Sequence, residues 1–437
     1  MTHENDRERA YVVFQGGGAL GVAHFGAWQA IARDFEIVGV AGTSSGSIIA
    51  ALCAAGVDPD RAFESFKKNL PEIIGRKSFL WSLIDLISRA LFGREASNDG
   101  SHFQSWLENQ IKETDLEKGD TSFEELYQRK GIYLEVVACD LKDIDSDPVI
   151  FSSDVTRRSS VSRAVRASIS LPGLFKTVRI GNREFVDGGF KLNFPIKNLY
   201  KLAKRDECAV IGVRFKKSPR SFKSSNIRQV FSKSYELVMS NSSPVPDEVK
   251  NYSKCKIIEI DDMGNNPLNF NLSEGKLLEL REAGREAAEE QLEEFIRKIE
   301  EIKSKLYSRL SSNDRESVRE AQDWFNCEAI PGAESACKSA LRQQDILNLE
   351  LDGLKAKRFY WEIRVYLTRV SESLLHEDYD LLEDRLLKLS LSNLTIYLEV
   401  LDSIKKGVPS YLTAREDIRN RIDHLKKIII QEFGNNR

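Results

Sequence analysis

Histidine is scarce in this chain, with five in 437 residues, and so are methionine, with three, and cysteine, with six. The cysteines (Cys53, Cys139, Cys208, Cys255, Cys327, Cys337) show no C-x-x-C spacing. A zinc framework or a disulfide-stapled secreted scaffold is therefore not expected; reduced core thiols are. No run approaches the roughly 20 apolar residues of a membrane span. The start, MTHENDRERA, lacks the basic segment and long apolar stretch of a cleavable signal. A cytoplasmic protein, peripheral at membranes when active, is the expectation; this does not bear on delivery by a route without such a signal. A net charge of -3 gives no global pull toward a nucleic-acid polymer, and none is expected as a partner.

What is present is a change of texture near Asn265. Before it, short apolar runs alternate with helical patterns. Tyr11–Gln15, Ile37–Ala41, Ile132–Asp140, Val149–Phe151, Glu184–Val186 and Ala209–Phe215 read as strands, with Cys255–Ile260 as one more. Several are continuously apolar, as strands buried on both faces are. Leu20–Arg33 and Ser45–Ala55 read as helices between them. The pattern predicts an α/β layered fold with a mostly parallel sheet, followed by an all-α C-terminal region. The expected divisions are residues 11–265, a long connecting helix over 266–312, and a helical domain over 313–437. Ser311–Asp314 reads as a linker, and Asp380–Ile404 as a strong helix stopped by Gly407 and Pro409.

Three motifs carry chemistry. GTSSG at Gly42–Gly46 follows a strand and opens a helix, which is G-x-S-x-G in its proper context. A tight turn there lifts the Ser44 hydroxyl out of the sheet, and Gly42 and Gly46 let the turn form. GGGALG at Gly16–Gly21 follows the first strand. It also fits a dinucleotide fingerprint, but that needs an acidic residue at the end of the second strand, where GTSSG stands. The alternative is a run of backbone amides that stabilises an oxyanion. FVDGG places Asp187 at a strand end before Gly188 and Gly189. Alone, it reads as an Asp-Gly hairpin turn; beside the other two motifs it reads as a base.

A Ser–His–Asp triad finds no suitable histidine. His3, His376 and His424 lie in the start and the helical tail, His24 packs on the first helix, and His102 has no motif around it. An aspartate can accept the serine proton directly where burial raises its pKa.

The order GGGxxG, GxSxG, DGG, together with ASISLPGLF at Ala167–Phe175, resembles the patatin-like phospholipases of the bacterial type over roughly Tyr11–Leu202. The resemblance implies a fold related to α/β-hydrolases and a Ser–Asp dyad without histidine. It implies cleavage of fatty acyl esters of membrane phospholipids or related lipids. Carried across, Ser44 is the nucleophile and Asp187 the base. The amides of Gly17 and Gly18, with Gly16 and Ala19, form the oxyanion hole, and no metal or other cofactor is implied. Leu20 stands where many members carry Lys or Arg, so a positive charge at the loop is missing. For the helical region the resemblance implies an activating protein or small-molecule ligand. A supporting bundle is the plainer reading, and a scaffold with a silenced enzyme domain is the alternative function.

Two segments bear on lipid access. Ser78–Gly93, rich in Phe, Leu, Ile and Trp81, reads as a core helix or as a lid that docks on lipid. Lys216, Lys217, Arg220, Lys223, Arg228 and Lys233 read as a solvated loop or a contact for anionic head groups.

Overall fold

The computed structural model describes residues 7–74, 99–114, 120–143, 145–172, 174–218, 227–309, 312–343, 353–376, 382 and 394–435. Ser78–Gly93 lies outside them, in the interval 75–98. Internal packing divides the chain into Glu8–Phe295 and a second unit formed by Ile296–Arg437 with the first seven residues.

The first unit is built on eight strands: β1 (Glu8–Phe14), β2 (Phe35–Thr43), β3 (Tyr133–Asp140), β4 (Val149–Ser152), β5 (Val178–Ile180), β6 (Arg183–Asp187), β7 (Ala209–Lys216) and β8 (Cys255–Asp261). They lie in the order β5-β6-β3-β2-β1-β7-β8, with β4 also on β3. The centre, β3-β2-β1-β7-β8, is parallel throughout. Val12, Val13 and Phe14 on β1 are fully buried, as expected of a strand covered on both faces. The pairings of β3 with β4 and β6, and of β5 with β6, are antiparallel. Parallel pairing needs a crossover of about a dozen residues. Only Gly181 and Asn182 separate β5 from β6, so that pair must form a hairpin, with Gly181 at φ 60° in its turn.

The first helix departs from the sequence pattern. Gly18 sits at φ 55° and opens a 3-10 turn over Gly18–Val22. The α-helix proper, α1, runs Ala23–Asp34; α2 spans Ser45–Ala54, α3 Val161–Ser168, α4 Ile227–Asn241 and α5 Glu274–Arg309. The first part of α5 crosses α1 at glycines on both helices. A Cβ on Gly284 would lie 1.9 Å from the Ala23 carbonyl oxygen, and one on Gly26 1.9 Å from that of Arg281. Arg281 also stacks on Phe63, and Phe295 on Phe35. Gly284→Ala is therefore expected to destabilise by about 1–3 kcal/mol by overpacking, although alanine is the better helix former. Gly275→Ala, at a position with open space around it, is expected to be neutral or mildly stabilising. Thermal melts of the two variants check the opposite signs.

The second unit is helical among its described residues, with helices Ser312–Trp324, Ile330–Gln343, Gly353–His376, Leu394–Gly407 and Arg415–Asn435. Phe325, Phe359, Tyr366, Tyr397 and Leu425 anchor its core. Ser312–Asp314, read as a linker, opens a helix instead; Ser, Asn and Asp serve helix starts as readily as loops. Of Asp380–Ile404, Leu394–Ile404 is helical, and most of the earlier part lies outside the described residues. No described helix is long and apolar enough to cross a membrane.

Candidate functional site

Sheet order brings Ser44 and Asp187 together. Ser44 follows the last residue of β2, where Thr43 registers with Val137 of β3. Asp187 ends β6, where it registers with Ala138, the next residue of β3. The two strands flank β3 and deliver the side chains to one point. The Ser44 hydroxyl donates to Asp187 Oδ2 at 2.6 Å.

Ser44 occupies a strained conformation, φ 52° and ψ -129°. Left-handed backbone is uncommon outside glycine, and where it persists the surroundings enforce it. A Cβ on Gly42 would lie 2.3 Å from the Gly46 carbonyl oxygen, and one on Gly46 2.2 Å from that of Phe14. The turn closes only with glycine at both places. The Ser44 amide donates to Ser168 Oγ at 2.9 Å, and Ser47 Oγ donates to the Ser44 carbonyl at 2.6 Å.

Asp187 is 0% exposed. Burial pushes its carboxyl up to about 6, against the opposing pull of hydrogen bonds from Ser44 and the Gly189 amide. The Gly189 amide donates to Oδ1 at 2.8 Å, and the Asp187 amide donates to the Ser170 carbonyl at 3.2 Å. At neutral pH the carboxylate is thus ionised yet far more basic than a solvated one. Gly188 is required for close approach, since a Cβ there would lie 2.3 Å from the Val137 carbonyl oxygen.

The glycine loop lies beside Ser44, but its amides are unequally placed. Gly16 N–H donates to the Asn193 carbonyl at 3.1 Å and Ala19 N–H to the Pro267 carbonyl at 2.8 Å. Gly17 N–H donates to Ser45 Oγ at 3.0 Å. Gly21 packs on Ser45, whose Cβ and Oγ a Cβ at Gly21 would meet at 2.4 Å. Leu20 is buried.

An apolar cavity opens on Ser44. Gly18, Ala19 and Ser45 border it, and Phe25, Ile49, Phe66, Phe103 and Leu171 are among its walls. Such walls suit hydrocarbon.

Several residues that hold this arrangement carry no motif signal of their own. Arg166 is buried and donates to the Asp99 and Lys176 carbonyls and to Ser170 Oγ, with its guanidinium 4.8 Å over Phe175. It thereby fixes the ASISLPGLF segment, whose Ser168 and Ser170 hold Ser44 and Asp187. Asn193 accepts from Gly16 N–H and returns a bond from Nδ2 to the Gly16 carbonyl at 3.1 Å, fixing the loop on both sides. The only hint in the sequence was closeness to DGG.

Two histidines of the first unit, His24 and His102, have other settings. His24 is buried between Phe14 and Phe215 with Nε2 2.8 Å from the Gln15 carbonyl, and burial pushes its pKa down to about 4. His102 is exposed at a helix start. Of the basic stretch, Lys217 and Lys233 both contact Glu236 on α4, while Arg220 and Lys223 lie outside the described residues.

A family model described as patatin-like phospholipase matches residues 12–200. The uncharacterized protein YqhO of Bacillus subtilis (strain 168) is 30% identical over 298 residues, 63% of this chain and 96% of YqhO. The uncharacterized NTE family protein Rv2565 of Mycobacterium tuberculosis is 31% identical over 185 residues, 42% of this chain but 27% of Rv2565. The probable lipid hydrolase 463L of Invertebrate iridescent virus 6 is 27% identical over 191 residues, 42% of this chain and 61% of 463L. The chain thus spans nearly all of the first relative, about a quarter of the second and under two thirds of the third. The matched segment holds Ser44, Asp187 and the glycine loop, and the chain belongs to the patatin-like phospholipase family, a family of lipid hydrolases.

Proposed function

We propose that this protein hydrolyses fatty acyl esters of phospholipids or related lipids through Ser44 and Asp187. The observation that carries the reading is the 2.6 Å bond to the buried Asp187 from the hydroxyl of Ser44, which borders an apolar cavity. The acyl chain enters the cavity and brings the ester carbonyl to Ser44. Asp187 takes the hydroxyl proton as Oγ bonds to the carbonyl carbon, and the carbonyl electron pair moves onto oxygen. The glycine loop stabilises that oxyanion. Since the Gly16 and Ala19 amides are engaged by carbonyl groups, the Gly18 amide is the loop donor that serves it. Collapse expels the alcohol or lysolipid, which takes the proton. Water, deprotonated by Asp187, then attacks the acyl carbon, and the fatty acid leaves as Ser44 Oγ takes that proton back from Asp187.

Release of free fatty acid from mixed phospholipid vesicles tests this. Wild type should release it, and Ser44→Ala should lose at least about four orders of magnitude in rate. Equal release by both proteins would end the proposal. No release by either would favour a scaffold with a silent enzyme domain.

A further inference from the structure

We propose that Ser45 is a catalytic residue, its hydroxyl being the second hydrogen-bond donor to the oxyanion. The inference rests on the hydrolase reading and completes its weakest part. A tetrahedral oxyanion is ordinarily held by two converging donors, and the backbone of the glycine loop does not supply two. Gly16 N–H is bonded to the Asn193 carbonyl and Ala19 N–H to the Pro267 carbonyl. Leu20 N–H turns back to the Gly17 carbonyl at 3.1 Å. Gly17 N–H ends on Ser45 Oγ at 3.0 Å. Gly18 alone remains.

Ser45 converts the Gly17 bond into a donor aimed at substrate. A hydroxyl accepts through its lone pairs and donates one proton. With Gly17 N–H on a lone pair, the Ser45 proton is directed away from the loop, and it meets no acceptor among the described residues. The side chain borders the same cavity as Ser44, where the other walls are apolar side chains and loop backbone. It is also held in place, because Gly21 packs directly on its Cβ and Oγ. The neighbouring hydroxyl of Ser47 is different, since it donates to the Ser44 carbonyl at 2.6 Å. A substrate oxygen brought to Ser44 therefore completes a chain, Gly17 N–H to Ser45 O–H to oxyanion, whose links polarise one another. No proton is transferred along it. The Ser44 proton goes to Asp187, and Ser45 only donates a hydrogen bond that strengthens as the carbonyl oxygen gains charge.

Steady-state hydrolysis of p-nitrophenyl octanoate by wild type, Ser44→Ala, Ser45→Ala and Ser45→Cys tests the assignment. Ser45→Ala should lower kcat on the order of 100-fold and leave KM within about twofold. Inhibition by an octyl trifluoromethyl ketone, which forms the tetrahedral adduct, should weaken by a similar factor. Ser45→Cys fills the position with a weak donor and should show most of the same loss, which covers the case in which the alanine variant fails to fold. A kcat within about threefold of wild type in the folded variants, or a loss confined to KM, would overturn the proposal while Ser44→Ala is inactive. Full activity in Ser44→Ala would instead overturn the hydrolase reading beneath it.

Discussion

Asp187→Asn is expected to lower ester turnover by about 10⁴-fold or more while making the protein more stable at pH 8. The first effect follows from the proposed role, because an amide cannot take the Ser44 proton. The second follows from burial. The Asp187 carboxyl is raised from 3.8 to about 6, so the folded state holds its proton more tightly than the unfolded chain. Its favourable contribution is complete below about pH 4 and is lost as pH rises through about 6, leaving a penalty of roughly 3 kcal/mol at pH 8. Asparagine removes that charge and keeps the contacts. Its Oδ1 can accept from Gly189 N–H, and its amide can donate to Ser44 Oγ in place of the bond now donated by Ser44. Thermal melts at pH 4 and pH 8 should show a gain of a few degrees only at the higher pH. In wild type, kcat/KM should rise to a plateau through an apparent pKa near 6. A variant that melts earlier than wild type at pH 8 and retains activity would contradict both parts.

Gly46→Ala should unmake the turn that presents Ser44. The added Cβ would meet the Phe14 and Gln15 carbonyl oxygens at 2.2 and 2.8 Å, and both belong to backbone at the end of β1. Neither can withdraw without moving the strand at the centre of the sheet. A loss of about 3 kcal/mol or more is expected, with activity lost even in the folded fraction because α2 must shift with Ser44. Circular dichroism melts and rates per folded molecule check it; a midpoint equal to wild type would show that the turn tolerates a side chain.

The sheet was legible wherever burial writes itself as a continuous apolar run, which is why β1, β2, β3 and β7 stand out. β5 was not, being a three-residue strand with no buried residue, specified by the turn at Gly181. The 3-10 turn at Gly18–Val22 was hidden because helical spacing continues through it and does not mark Gly18 as left-handed. Ser44 could be singled out from local sequence, since its motif and flanking elements are contiguous. Asp187 could be paired with it only through motif order and resemblance. The physical pairing depends on β6 and β2 both lying against β3, a non-local fact. Pro267 acts on the loop through its main-chain carbonyl, which leaves no side-chain signature, and Asn193 through both its carbonyl and its side-chain amide at a position that no motif marks. Pro267 also lies beyond the span that the resemblance covers.

The most direct measurement of the central claim is covalent labelling with an alkyl fluorophosphonate, which reacts with an activated serine, followed by peptide mass spectrometry. The account predicts one adduct, on Ser44 within Gly42–Gly46, loss of ester hydrolysis in proportion to labelling, and much slower labelling in Asp187→Asn. An unlabelled Ser44 in protein that hydrolyses the ester, or inactivation by an adduct on another residue, would contradict it.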